Sequence, residues 1–210
     1  MDSLFSTKGL RFLDLISYPD MDFPAGQHTF LRGESGSGKS TLLKLLNATL
    51  SPSAGQVFYK GQDVAGIDTL LLRRQAILVA QDAWLFPGSI RENFAQYRVF
   101  RGEEAISDEG ITRLMHTCAA DFPLDADTAT LSGGERQRVF LATCLSFHPE
   151  ALLMDEPTSA LDEETANLFL SRLKAFANHE GMTLITVSHA QALAGAFADQ
   201  IITLGGRKVS

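Results

Sequence analysis

The sequence predicts an α/β fold, a mostly parallel sheet covered by helices and interrupted by a helical insertion, on three observations. Short apolar runs alternate with longer amphipathic segments along the 210 residues, the pattern of parallel strands joined by crossover helices. A glycine-rich turn, GESGSGKS, lies between an apolar run and the helical pattern TLLKLLNATL. The stretch 82–130 breaks the alternation with short helical patterns punctuated by Pro87, Gly102 and Pro123.

Strands are predicted at residues 28–31, 76–80, 151–154, 183–187 and 200–204. Most are apolar throughout, as burial on both faces requires. Between Asp162 and Asn178, the residues Phe169, Leu173, Phe176 and Ala177 fall at helical spacing and give one buried face. Helical patterns around residues 89–94 and 108–120 make 82–130 an inserted helical subdomain. Residues 1–81 and 131–210 then form the core, with an N-terminal β part. No internal repeat, low-complexity tract or long charge run is present.

A hydrophobic fraction of 45% and a charged fraction of 20% are those of an ordinary globular protein. A chain of this size buries roughly 70% of its unfolded surface and needs no disulfide or metal staple. Cys118 and Cys144 lie in different predicted helices without a CxxC or His-rich setting, so free thiols in a reducing compartment are expected. The opening MDSLFSTKGLRF lacks a basic leader followed by an apolar core, which predicts no secretory signal and a cytoplasmic place. No window approaches the roughly 20 apolar residues that cross a bilayer, so any membrane role requires a partner chain. The net charge of −7, with basic residues scattered, opposes nucleic-acid binding.

GESGSGKS matches the pattern GxxxxGK[ST] in the strand-then-helix context that gives the pattern meaning. Gly33, Gly36 and Gly38 allow backbone N–H groups to turn toward phosphate oxygens. Glu34, Ser35 and Ser37 complete the loop, and the next helix, with Thr41 in its first turn, offers its positive end to an anion. Lys39 reaches β- and γ-phosphates in such a loop, and Ser40 ligates Mg²⁺. The bland alternative is a glycine-rich turn with a solvated lysine. In ALLMDEP a buried strand ends in two carboxylates, at the end where open α/β sheets place ligands. Asp155 is read as holding Mg²⁺ through water, and Glu156 as orienting the attacking water. Side-chain alternation along a strand would let the two point apart. Their alternative is an acidic surface turn before Pro157.

LSGGERQR resembles the signature sequence of ABC-type ATPases, and the phosphate loop and acidic strand flank it in that family's order. Ser132 and Glu135 fit a capping box, but capping does not explain Gly133 beside Gly134, which cost helix stability. The resemblance covers essentially the whole chain and implies a P-loop NTPase of ABC ATPase type, with a RecA-like core and an inserted helical subdomain. It implies that Ser132, Gly133 and Gly134 contact the γ-phosphate of ATP held by an opposing subunit, so that two chains form a sandwich dimer. Gln81, after AILVA, resembles the family's glutamine that touches Mg²⁺ and the attacking water. Asp162, in SALD, resembles the residue that communicates between the two sites, and an N-cap role is compatible with this. His189, after TLITVS, resembles the switch histidine that senses the γ-phosphate. The adenine-stacking aromatic is Phe12 or, behind it, Tyr18, with Phe12 equally suited to the core. Ala190 stands where the family often has a polar residue.

The resemblance further implies an ATPase that powers an ABC transporter through a separate integral membrane permease, placed peripherally on the inner face of the cell membrane. Trp84, Leu85 and Phe86 form an apolar run suited to partner docking or to packing within the subdomain; it resembles stretches in exporter-type members. The compact single cassette is also similar to short bacterial ATPases linked to metal or iron export. Rival readings are a soluble ABC-type ATPase acting on the ribosome or DNA, and a P-loop kinase of small metabolites. The first generally needs a long coiled coil or a second cassette, and the second leaves the signature unexplained. Cargo and homo- or heterodimer state stay open, though the intact motifs permit a homodimer.

Overall fold

A computed structural model describes residues 2–13, 15–81 and 83–205. Five strands, β1 (Ser3–Phe12), β2 (Ile16–Ser17), β3 (Met21–Pro24), β5 (Ala54–Tyr59) and β6 (Gln62–Asp63), form an antiparallel sheet. Five more, β4 (His28–Gly33), β7 (Ala76–Val79), β8 (Ala151–Asp155), β9 (Thr183–Val187) and β10 (Gln200–Leu204), form a parallel sheet in the order β10-β4-β9-β8-β7. The helices are α1 (Lys39–Leu46), α2 (Thr69–Gln75), α3 (Ile90–Arg101), α4 (Asp108–Thr117), α5 (Gly133–Leu145), α6 (Glu163–Glu180) and α7 (Gln191–Phe197).

Period-two alternation in the parallel strands divides the interior. Leu152 and Met154 of β8 face one hydrophobic cluster with α3, α4, α5, α6 and α7, whereas Ala151 and Leu153 face the other. That second cluster holds α1 residues Leu42, Leu43, Leu45 and Leu46 against Phe5, Leu10, Phe23 and Val57 of the antiparallel sheet. The result is four layers, with α1 between the two sheets and helices α3–α7 on the other face of the parallel sheet. Each fully buried leucine here contributes on the order of 2 kcal/mol.

The helices start and stop where their sequences dictate. Ser89 and Glu92 form a capping box on α3, which ends at Gly102 in the left-handed conformation (φ 69°). Asp162 caps α6, and Gly181 (φ 67°) ends it. Arg91 joins α3 to the start of α4 through Asp108 at 2.9 Å, and also reaches Asp125. Arg74 and Arg101 each donate to the other's backbone carbonyl, at 3.1 and 3.2 Å, and so tie α2 to the end of α3. Both cysteines are buried free thiols, and burial pushes Cys144 up to about 12, which makes it a poor nucleophile.

Candidate functional site: a phosphate loop and an acidic pair at one sheet edge

Strand register assembles the site. Leu31 of β4, Val187 of β9 and Asp155 of β8 lie in one row across three neighbouring parallel strands. The chain segments that leave this row all emerge at the same edge: the glycine loop after β4, His189 after β9 and Glu156 after β8. Glu156 N donates to Val187 O at 3.1 Å, which continues the pairing one step past the sheet. On the far side of β8, Val79 pairs with Met154, so exposed Gln81 leaves the sheet beside the same strand.

The loop is a cradle shaped by backbone handedness. Gly36 (φ 80°) and Gly38 (φ 91°) adopt conformations that side chains resist, and a Cβ on Gly36 would meet open space. Lys39 is only 6% exposed. Its Nζ donates to Gly33 O and Glu34 O, both at 2.9 Å, so the ammonium spans the loop mouth. Ser37 is buried with its hydroxyl unpartnered, whereas Glu34, Ser35 and Ser40 are exposed and Thr41 is half-buried. A ring of N–H groups, one ammonium and free hydroxyls suits an oligophosphate.

The acidic pair differs from the strand-alternation expectation. Asp155 is the last residue of β8, but Glu156 is already outside it, in the left-handed region (φ 52°). The turn, not alternation, separates the carboxylates. It brings Glu156 Oε1 to 3.2 Å from His189 Nε2. Both line a cleft of about 480 Å³ with Ser159, Leu161, Ser188 and Leu193.

At the signature turn, Ser132 and Glu135 form the expected capping box on α5. The two N–H groups the box leaves unused belong to Gly133 and Gly134. A Cβ on Gly134 would come within 3.3 Å of Ala160, whereas one on Gly133 would meet nothing within 4 Å. Among the described residues, no hydrogen bond or ion pair joins Ser132, Gly133 or Gly134 to the phosphate loop. Asp162 is committed as a cap: its carboxylate accepts from Thr165 N and Thr165 Oγ1, both at 2.8 Å. These bonds hold its carboxyl below the usual range. Ala190 leaves α7 without a side-chain cap, and Ser188 Oγ, which the sequence reading passed over, accepts from Ala190 N at 3.1 Å instead.

The two aromatic candidates separate. Phe12 is half-buried and pairs with Ile16, whose side chain packs beside Gly38. Tyr18 is 5% exposed, and its hydroxyl is engaged by Gly38 O, so its ring has no free face for a base. In the apolar run, Leu85 is buried, Trp84 is 67% exposed, and Phe86 packs on Tyr97 and Phe100. Packing and exposure therefore both occur, in different residues. Tyr97, Phe100 and Phe140 extend this aromatic cluster and were not singled out from sequence, because their spacing reads as ordinary helix.

The family model described as ABC transporter matches residues 17–159. ABC transporter I family member 17 of Arabidopsis thaliana is 37% identical over 171 residues, 81% of this chain and 65% of that protein. L-cystine import ATP-binding protein TcyC of Bacillus subtilis is 35% identical over 204 residues, 92% of this chain and 81% of that protein. The solved structure of a bacterial Atm1-family ABC exporter with ATP bound superposes at a TM-score of 0.84. It is 30% identical, and the match spans 95% of this chain and 37% of that one. The chain spans under two thirds of several relatives, down to 14% of one. No described helix is long and apolar enough to cross a membrane. The glycine loop and the acidic strand end meet at the carboxyl ends of adjacent parallel strands, and with the family match over residues 17–159 and these relatives the chain belongs to the ABC transporter family.

Proposed function

We propose that this chain is the ATP-hydrolysing subunit of an ABC transporter and drives a separate integral membrane permease. The observation that carries the reading is the convergence of Lys39, Asp155, Glu156 and His189 at the ends of three adjacent parallel strands. Residues 33–41 would cradle the phosphates of ATP, with Lys39 leaving its carbonyl bridges for the β- and γ-phosphates. Ser40, Asp155 and Gln81 present only hydroxyl, carboxylate and amide oxygens, a donor set that fits Mg²⁺, whose charge would offset that of the phosphates when bound. Glu156 would orient water in line with the γ-phosphorus, and His189, already beside it, would steady the carboxylate and sense the γ-phosphate. Phe12 is the candidate for stacking on adenine.

Gly133 supports the dimer. It needs no special φ and touches nothing that would exclude a side chain, yet a helical glycine costs up to about 1 kcal/mol relative to alanine. Its justification therefore lies outside this chain, in ATP held by a second copy facing Ser132, Gly133 and Gly134. ATP would glue two subunits into a homodimer with two sites, and Asp162 would sit between them. Residues 82–130 act as the helical subdomain that passes closure to the permease. Exposed Trp84, Val99 and Phe100 beside Tyr97 offer that partner an apolar seat on the inner face of the membrane. Relatives named for import and for flipping match equally well, so cargo and direction are assigned to the permease.

Replacing Glu156 by Gln tests the reading. The variant is expected to bind ATP, to hydrolyse it at least about 100-fold more slowly, and to elute as a dimer with ATP and Mg²⁺. Near-normal turnover by this variant sinks the assignment.

A further inference from the structure

One buried phenol reaches the phosphate loop from another part of the chain. Tyr18 follows β2 and is anchored by its own N–H, which donates to Leu10 O at 2.9 Å. Its ring packs in the cluster that contains the leucines of α1, and its hydroxyl donates to Gly38 O at 2.9 Å. The same carbonyl accepts the first helical bond of α1, from Leu42 N at 2.8 Å. Thr41 is a second hydrogen-bond neighbour of the phenol. The fit is close enough that a Cβ on Gly38 would lie 2.7 Å from the phenolic oxygen and 3.0 Å from Ile16 Cδ1.

Geometry makes this contact consequential. The Gly38 carbonyl and the Lys39 N–H belong to one planar trans peptide and point in opposite directions. Two donors hold the carbonyl along the helix axis, so the Lys39 N–H is aimed out of the helix end into the loop, where a phosphate would sit. Gly38 is in the left-handed region and has no capping side chain of its own. Its flexible backbone would otherwise let that plane rotate.

We propose that Tyr18 is a positioning residue for triphosphate binding: its hydroxyl locks the Gly38–Lys39 peptide plane and so presets the phosphate-binding N–H at the start of α1. This rests on the nucleotide reading of the loop. It predicts an effect on the phosphate end of the ligand and none on the choice of base.

Tyr18→Phe keeps the ring and removes only the donor. In the full chain, with a fluorescent ATP analogue as probe and ATP, GTP and inorganic tripolyphosphate as competitors, the variant is expected to bind all three about fivefold more weakly, the scale of one neutral hydrogen bond. KM for ATP should rise by the same factor with kcat within about twofold, and the melting temperature should move by only a few degrees. Unchanged affinity in a folded variant overturns the proposal, as does a loss confined to the nucleotides with tripolyphosphate unaffected, which would place Tyr18 at the base. Tyr18→Leu is the second variant: it should match Tyr18→Phe in its ratio of ATP to tripolyphosphate affinity, and a selective loss of ATP again overturns the inference. Failure of the unmodified chain to bind ATP removes the nucleotide reading itself and is told apart by that control.

Discussion

The phosphate loop and the signature turn both place glycines at the start of a helix, yet they are built in opposite ways. Gly38, ahead of α1, is left-handed (φ 91°) and has no side-chain cap; the loop is held by Lys39 bridging to Gly33 and Glu34 and by Tyr18 from outside. Ser132, ahead of α5, is extended and closes a capping box with Glu135, and exposed Gly133 beside it has no neighbour to avoid. On the proposed reading, the helix end that would hold an anion in its own chain is left uncapped and braced from behind. The one that would meet a ligand carried by a second copy is finished locally and keeps only a bare backbone surface.

Three experiments sharpen or break this contrast. The largest effect is expected at Lys39, where Lys39→Ala should weaken ATP binding by the isolated chain about 100-fold or more, because charge-assisted bonds to phosphate are lost. An affinity within threefold of the parent would mean that the loop is only a turn. Next is Gly133→Ala, which should leave single-chain ATP affinity alone and raise helix stability by up to about 1 kcal/mol, a few degrees in melting temperature, while turnover falls at least about tenfold. A stabilised variant with full turnover would remove the trans surface from the account.

The smallest effect is a matter of acid. Hydrogen bonds from the Ser132 hydroxyl and N–H hold the Glu135 carboxyl below its ordinary value of 4.5. A carboxyl lowered by folding adds stability above its unfolded pKa, and that contribution disappears as pH falls through the folded value. Burial pushes Tyr18 up to about 12, so it stays a donor across that range. Amide protection factors in the first turn of α5 should therefore fall between about pH 5 and pH 3 relative to those of α1, and Glu135→Gln should flatten the difference. Equal acid response of the two helix ends would contradict the capping account.

What could be read from sequence followed burial. All five parallel strands were predicted because residues such as Leu152, Leu153 and Ile185 are apolar on both faces; two of the five have their predicted bounds. The antiparallel sheet was foreseen only as an N-terminal β part. Its long strand β1 carries Lys8 and Gly9 and a register shift between Lys8 and Arg11, and β2 and β6 are two residues each, too short for any periodicity. The loop, acidic pair and signature were legible because their chemistry is contiguous in the chain. The contact between Glu156 and His189 was not, because residues so far apart meet only through the register of β8 on β9. From sequence Tyr18 offers only a stacking ring, since nothing local to it indicates Gly38.

The left-handed backbone at Glu156 (φ 52°) sets a conflict between endurance and chemistry. A non-glycine residue there costs roughly 1–2 kcal/mol, which Glu156→Gly would relieve while deleting the carboxylate. If Glu156 orients water as proposed, a library of this protein ranked by heat resistance alone would enrich inert molecules at that position. Selection in a cell has to hold the strained residue against a standing thermodynamic pull, so retention of Glu156 in a stabilised descendant would report that hydrolysis was still being used.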